Sequence, residues 1–192
     1  GISVLLACLI GIPIGMYTAS RRRLWNWVEA IIDTLQTLPS FVYLMPAVML
    51  FRVGDFTAML AVVAYAVAPV IRYTALGLQR VPENLIEAGR ATGCTDWQLM
   101  TKIRLKLALP EIMLGINQTI MLALSMLVIT ALVGTRDLGQ EVYIALTKAD
   151  TGRGLVAGLA VAFIAIIADR LISAGAVRLR VRLGLSHQEA GA

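Results

Sequence analysis

The sequence predicts an all-α integral membrane protein, a bundle with five visible transmembrane helices and a long cytoplasmic loop that is itself helical. Three observations carry this expectation. Hydrophobic residues make up 58% of the chain and charged residues only 15%, where a soluble domain has about a quarter charged. The apolar residues lie in long blocks, and a run of roughly 18 or more reads as a membrane span. The Lys and Arg residues gather in alternate connections, as they do on the cytoplasmic side of membrane proteins.

Five blocks follow in order. Ile2–Ala19 has no charge. It is followed by Arg21, Arg22 and Arg23 and has no basic leader, so it reads as a span and not as a signal peptide. Leu35–Phe51 is interrupted by Pro39 and Pro46, and Phe56–Leu78 contains Pro69 and one charge, Arg72. Ile112–Val133 is uncharged but holds Asn117, Gln118 and Thr119. Leu155–Val177 carries Asp169 and Arg170 near its end. Each block crosses, or nearly crosses, ~30 Å of hydrocarbon at ~1.5 Å per residue. The prolines predict kinks, tolerated where neighbouring helices satisfy the freed carbonyls. One domain, 1–192, accounts for the length, and Gly at position 1 followed at once by an apolar run suggests that upstream helices are missing.

Arg21–Arg23, then Arg80, Arg90, Lys102, Arg104 and Lys106, then Arg178, Arg180 and Arg182 mark one side as cytoplasmic. On the other side Arg52, Arg136, Lys148 and Arg153 are diluted by Asp55, Asp137, Glu141 and Asp150. The N-terminus of this stretch then faces out and the C-terminus in. The net charge of +5 is thus topology. There is no aromatic-interleaved basic patch and no nucleic-acid motif, so nucleic acid is not an expected partner, whereas membrane lipid is. Cys8 and Cys94 form no CxxC pair, and the single His187 reads as a solvated tail residue, so no metal site is indicated. Gly11/Gly15 and Gly154/Gly158 are small-xxx-small pairs that let helices approach closely.

The loop 79–110 is the most informative segment. Pro82 fits a helix's first turn and Gly93 the position just past a helix end. Asn84–Thr92 between them is expected to be a short helix, with Leu85, Ala88, Gly89 and Thr92 on one narrow face. Thr95-Asp96-Trp97-Gln98 matches a capping box that opens a second short helix. A compact helical loop of this kind suits docking into a groove on another protein.

Glu87-Ala88-Gly89, then Gly93, then Ile103 and Leu105 after a nine-residue gap, resembles the EAA loop of bacterial ATP-binding-cassette importer permeases. The resemblance implies that Glu87, Ala88, Gly89 and Gly93 belong to a coupling helix seated in a cleft of the ATPase subunit. The match departs at Gly89, where Ala is usual, and at Lys106, where the motif has Pro. Gln36–Phe51, Gly115–Met126 and Asp137–Val142 look like segments of the ProW-type glycine betaine permeases. That resemblance implies a multi-pass inner-membrane permease for a quaternary ammonium compound such as glycine betaine, proline betaine or choline. It also implies a permease homodimer, two ATPase subunits and a periplasmic or lipid-anchored substrate-binding protein. The chain has no GxxxxGK[ST] loop and no catalytic constellation, so no enzymatic activity and no cofactor of its own are expected.

Asn117, Gln118 and Ser125 are the candidate translocation-path residues, because polar groups in hydrocarbon face a bundle interior or a wet cavity. Interhelical hydrogen bonding is the equal alternative, and Asn117 and Gln118 point ~100° apart on a helix. Glu111 reads as a dipole-complementing residue at a helix start, and Arg72 as a membrane-edge anchor that snorkels. Tyr43, Tyr65 and Tyr73 offer π-faces to a quaternary amine, although packing or anchoring is the stronger reading. The outward Gly134–Gly154 stretch is a contact region for a binding protein or a solvated loop. Two rivals remain: a permease for another solute such as methionine or taurine, and an ion-coupled carrier or osmotic channel with Asp169 as its one candidate acid.

Overall fold

The computed structural model describes residues 1–135 and 137–183; Arg136 and His187 lie outside the described residues. The described chain is helical: α1 (Ile2–Ala19), α2 (Arg22–Thr37), α3 (Phe41–Phe51), α4 (Asp55–Gln79), α5 (Glu83–Ala91), α6 (Asp96–Gln98), α7 (Leu105–Thr130), α8 (Leu138–Thr147) and α9 (Thr151–Arg182). A π-helical stretch, Leu99–Arg104, joins α6 to α7, and a 3₁₀ turn, Ala131–Val133, ends α7.

Four helical stretches are long and apolar enough to cross a membrane: α1, α4, Asp96–Val133 and α9. The expected second span is different. Leu35–Phe51 is not one helix: the chain breaks after Thr37, and α2 and α3 meet at 94°. Pro39 explains the break, because a residue before proline is pushed out of the helical region, and Leu38 is extended at φ −72°, ψ 133°. The Tyr43 hydroxyl donates to the Leu35 carbonyl across the corner. The count reaches five only if this bent pair is one crossing.

Helix α4 is the centre, packed between α1 and α7. Glycine makes both approaches possible. A Cβ at Gly11 would lie 2.2 Å from Val70 Cγ1, one at Gly15 2.8 Å from the Ile71 carbonyl oxygen, and one at Gly115 2.7 Å from Tyr73 Cβ. The first small-xxx-small pair is therefore a helix contact. Of the second, Gly154 touches Ala145, while Gly158 faces open space. Ala58, Ala61 and Val62 of α4 pack with Leu44, Ala47, Met126 and Val133 toward one end. Leu78 packs with Ala108 and Ile112 toward the other. On α9 only Ala157 and Ala176 are buried; its remaining apolar surface suits lipid or another protein.

The basic connections converge on one end. One cavity there is lined by Ser20, Arg90, Asp96 and Arg104, and Glu111 bonds both Arg80 and Arg180. The opposite end gathers Gly1, Thr130 and Asp137 around another cavity. In a background lacking Cys8 and Cys94, a thiol at Asp96→Cys is expected to react only from the cytoplasmic side, and one at Lys148→Cys only from outside. Impermeant-maleimide labelling of sealed and inverted vesicles checks this; labelling of both from one side overturns the topology.

Candidate functional site

Helix α5 stands away from the bundle on the basic side. It ends because Gly93 adopts φ +80°, a left-handed conformation that glycine takes without a side-chain clash. The turn is held by Gly93 N–H to the Arg90 carbonyl at 2.9 Å and Cys94 N–H to the Gly89 carbonyl at 3.1 Å. Thr95 then opens α6 with the expected capping box: Gln98 N–H donates to Thr95 Oγ1, and Thr95 N–H donates to Gln98 Oε1.

One expectation for this segment needs correction. The second helix is not short. It runs from Asp96 through the π-helical stretch and α7 to Val133, so the capped start is the cytoplasmic end of a membrane span. Of the face expected to dock on another protein, Leu85, Ala88 and Thr92 are exposed, while Gly89 turns inward with Ile86. Ile86 joins Val81 and Leu99 in a small core that Cys94 and Ile103 complete. Gly89 fits there because a Cβ would lie 2.6 Å from both Leu99 Cδ2 and Ile103 Cδ1. Glu87 and Ala88 face outward, and Glu87 has no ion pair among the described residues. The result is a short helix with its outer face free and its inner face clasped to the base of a span.

The polar residues of α7 divide. Asn117 Nδ2 donates to Asp169 Oδ1 of α9 at 2.7 Å, and its Oδ1 is buried without a partner. Gln118 and Ser125 are exposed; seven residues apart, they share one face, ~10 Å from each other along the axis. The Ser125 hydroxyl returns to the Leu122 carbonyl at 2.8 Å. The side of α7 turned to α4 is carried instead by Ala108, Ile112, Gly115, Thr119 and Met126. Asn117→Leu is expected to remove an interhelical bond worth ~0.6–2 kcal/mol and to leave the Asp169 carboxylate unsatisfied. A lower thermal midpoint of the detergent-solubilised protein, with Gln118→Leu unchanged, checks this.

Two charged groups that local sequence reading took singly are paired. Glu111 is not at a helix start, since helix precedes it from Asp96, so the dipole account fails. Its Oε1 accepts from Arg180 Nη2 at 2.8 Å and lies 3.8 Å from Arg80 Nη1. Arg72 does not merely snorkel: it bonds Asp33 of α2. Tyr43 and Tyr65 pack edge-to-face with ring centres 5.4 Å apart, inside the core around Met126, and the Cβ of Tyr73 lies against Gly115. The signal that would have found the ion pairs is the cost of an unpaired charge at membrane depth, which demands an opposite charge on another helix.

On the outer side, the stretch expected as a loop is largely α8. Asp137 caps it, accepting from Gly139 N–H at 2.9 Å, and Arg153 Nε donates to Glu141 Oε2 at 2.6 Å, tying α9 to α8. Among the described residues no cluster of His, Cys, Asp and Glu has the makings of a metal site.

Comparison with known proteins gives a consistent result. The family described as "Binding-protein-dependent transport system inner membrane component" matches residues 11–181. The glycine betaine transport system permease protein OpuAB of Bacillus subtilis is 46% identical over 88% of this chain and 60% of its own length. The glycine betaine/proline betaine transport system permease protein ProW of Escherichia coli is 42% identical over 90% of this chain and 49% of its own. The chain thus spans about half to three fifths of these curated relatives. Among solved structures, an inward facing form of the MetNI methionine ABC transporter superposes with a TM-score of 0.79 at 21% identity, covering 93% of this chain and 89% of that one. At that identity the likeness concerns the fold.

Proposed function

Because the chain belongs to the binding-protein-dependent transport system inner membrane component family, we propose that it is the permease subunit of an ATP-driven importer for quaternary ammonium compounds. The observation that carries this reading is α5: a capped helix with a free outer face bearing Glu87 and Ala88, clasped through Gly89 to the root of a span that crosses the bundle. Such a helix receives a push from a soluble motor subunit and delivers it to α7. The names of the relatives supply the solute class. The partners are two ATPase subunits, a second permease copy and a substrate-binding protein.

Gln118 and Ser125 are the path residues in this reading, supported by their shared exposed face on an otherwise apolar helix. Both are uncharged, which suits passage of a solute with a permanently charged ammonium centre that must be released. Asn117, engaged with Asp169, supports the path from behind. The same bond counts against the carrier alternative, because it engages Asp169, the acid which that alternative names, with an amide of the neighbouring helix.

The test is reconstitution in proteoliposomes with the ATPase and the binding protein. Uptake of labelled glycine betaine or choline that requires internal-face ATP and no ion gradient is expected, with methionine and taurine failing to compete. Uptake driven by a sodium or proton gradient without ATP would overturn the reading. In the same system Gln118→Leu is expected to lower uptake about tenfold at normal abundance, the effect of losing roughly 1.4 kcal/mol at the path; unchanged uptake removes Gln118 from it.

A further inference from the structure

The Glu111 carboxylate is the meeting point of three helices. It projects from α7 and takes Arg180 of α9 at 2.8 Å, with Arg80 at 3.8 Å. Arg80 immediately follows α4 and stands two residues before Pro82, the N-cap of α5. Gly77 makes the approach possible, since a Cβ there would lie 2.8 Å from Glu111 Cβ. The Glu111 side chain is 18% exposed, against 68% for Arg80 and 33% for Arg180. Removing a carboxylate so enclosed takes the shared counter-charge from two guanidinium groups that lie near one another.

We propose that Glu111 is a positioning residue of transport, through which the root of the coupling helix is tied to α9 as well as to α7. The proposal rests on the functional reading above. Helix α5 already reaches α7 through Gly89 and the π-helical stretch. Among the described residues helix α9 has no such clasp to α5; the Glu111 carboxylate joins their two ends through Arg80 and Arg180. Arg180 is within direct hydrogen-bond distance and Arg80 just beyond it. A shift of the α5 root by about one ångström therefore makes or loses the Arg80 contact with the carboxylate that holds Arg180. Motion of α5 then reaches the cytoplasmic ends of α4, α7 and α9 together.

A plain structural staple would look the same in the resting molecule, so the experiment reads coupling and not abundance. Glu111→Gln, Arg180→Gln and the double variant are reconstituted in the full complex, and solute imported per ATP hydrolysed is measured beside the thermal midpoint. The ratio is expected to fall about 3- to 10-fold in each single variant, the range by which residues along a coupling route alter it, while ATPase subunits still assemble. The double variant is expected to fall by less than the two single losses combined, because Glu111 and Arg180 share one interaction. An unchanged ratio in Glu111→Gln, with only the thermal midpoint lowered, overturns the proposal and leaves a staple. Additive losses in the double variant overturn it as well. Failure of the unmodified complex to import with ATP is a different result, and it strikes the functional reading first.

Discussion

Gly139→Ala is expected to lower the thermal midpoint of the protein by about 5 °C or more, the shift that follows from ~1–3 kcal/mol of overpacking in a chain of this size. A Cβ at that position would lie 2.1 Å from the Leu127 carbonyl oxygen and 2.7 Å from its carbon. Both are backbone atoms of α7, so no side-chain rotamer relieves the clash. Helix α8 must then lift off α7, and with it the Asp137 cap that accepts from Gly139 N–H. Gly158→Ala is the matched control: nothing lies within 4 Å of its Cβ position, and alanine is the better helix former by ~1 kcal/mol. Its midpoint is expected to stay level or rise. Equal midpoints for the two variants in differential scanning fluorimetry would show that α8 does not pack on α7 in this way.

Gly93→Val is expected to reduce ATP-driven uptake at least tenfold while leaving protein abundance in the membrane near normal. The residue sits at φ +80° with nothing near its Cβ position, so the penalty is backbone strain alone. A β-branched residue there costs about 1–3 kcal/mol, and the chain relieves it by opening the turn between α5 and α6. The inward face of α5 then loses its register against Leu99 and Ile103, and Glu87 and Ala88 are misplaced. Asparagine tolerates the left-handed region, so Gly93→Asn is expected to retain most uptake. Loss of uptake in both variants alike would point to a role for the glycine other than its conformation.

Much of the fold is legible in the sequence because lipid imposes a simple rule: a span must be long, apolar and helical. Ile2–Ala19 matches α1 end for end, and the arginine-rich connections converge on one end of the molecule. The second block was misread for a physical reason. Helix α2 carries Asn26, Glu29 and Asp33 among its apolar residues, buries Trp25 and Ile32, and so never forms an apolar run. The coupling segment was readable in its caps, Gly93 and Thr95, which act over three or four residues. Its inward face was not readable in the same way. Leu85 and Ile86 are both apolar, and only the contact of Ile86 with Val81 and Leu99 chooses between them. The ion pairs of Glu111 and Arg72 join residues 69 and 39 positions apart, and periodicity carries no information at that range. Within the path candidates, the 100° divergence of Asn117 and Gln118 was foreseeable, but not which of them met Asp169.

The corner between α2 and α3 places a demand on whatever surrounds it. Helix α3 has 11 residues and rises ~16 Å, about half the thickness of the hydrocarbon. With Phe51 at the membrane surface and α3 along the membrane normal, the break at Leu38 and Pro39 would lie near the middle of the bilayer. Leu35 has its carbonyl bonded by Tyr43, but the carbonyls of Gln36, Thr37 and Leu38 receive no hydrogen bond among the described residues, and Leu38 and Pro39 are exposed. Bare peptide dipoles are not stable against acyl chains; irregular backbone at that depth is tolerated only against protein or hydration water. The dielectric at this corner must be high, or its acceptors must be met by donors from another surface. Lipid alone cannot seal the molecule on that side: the backbone itself, before any side chain is considered, calls for water or a protein surface against the corner.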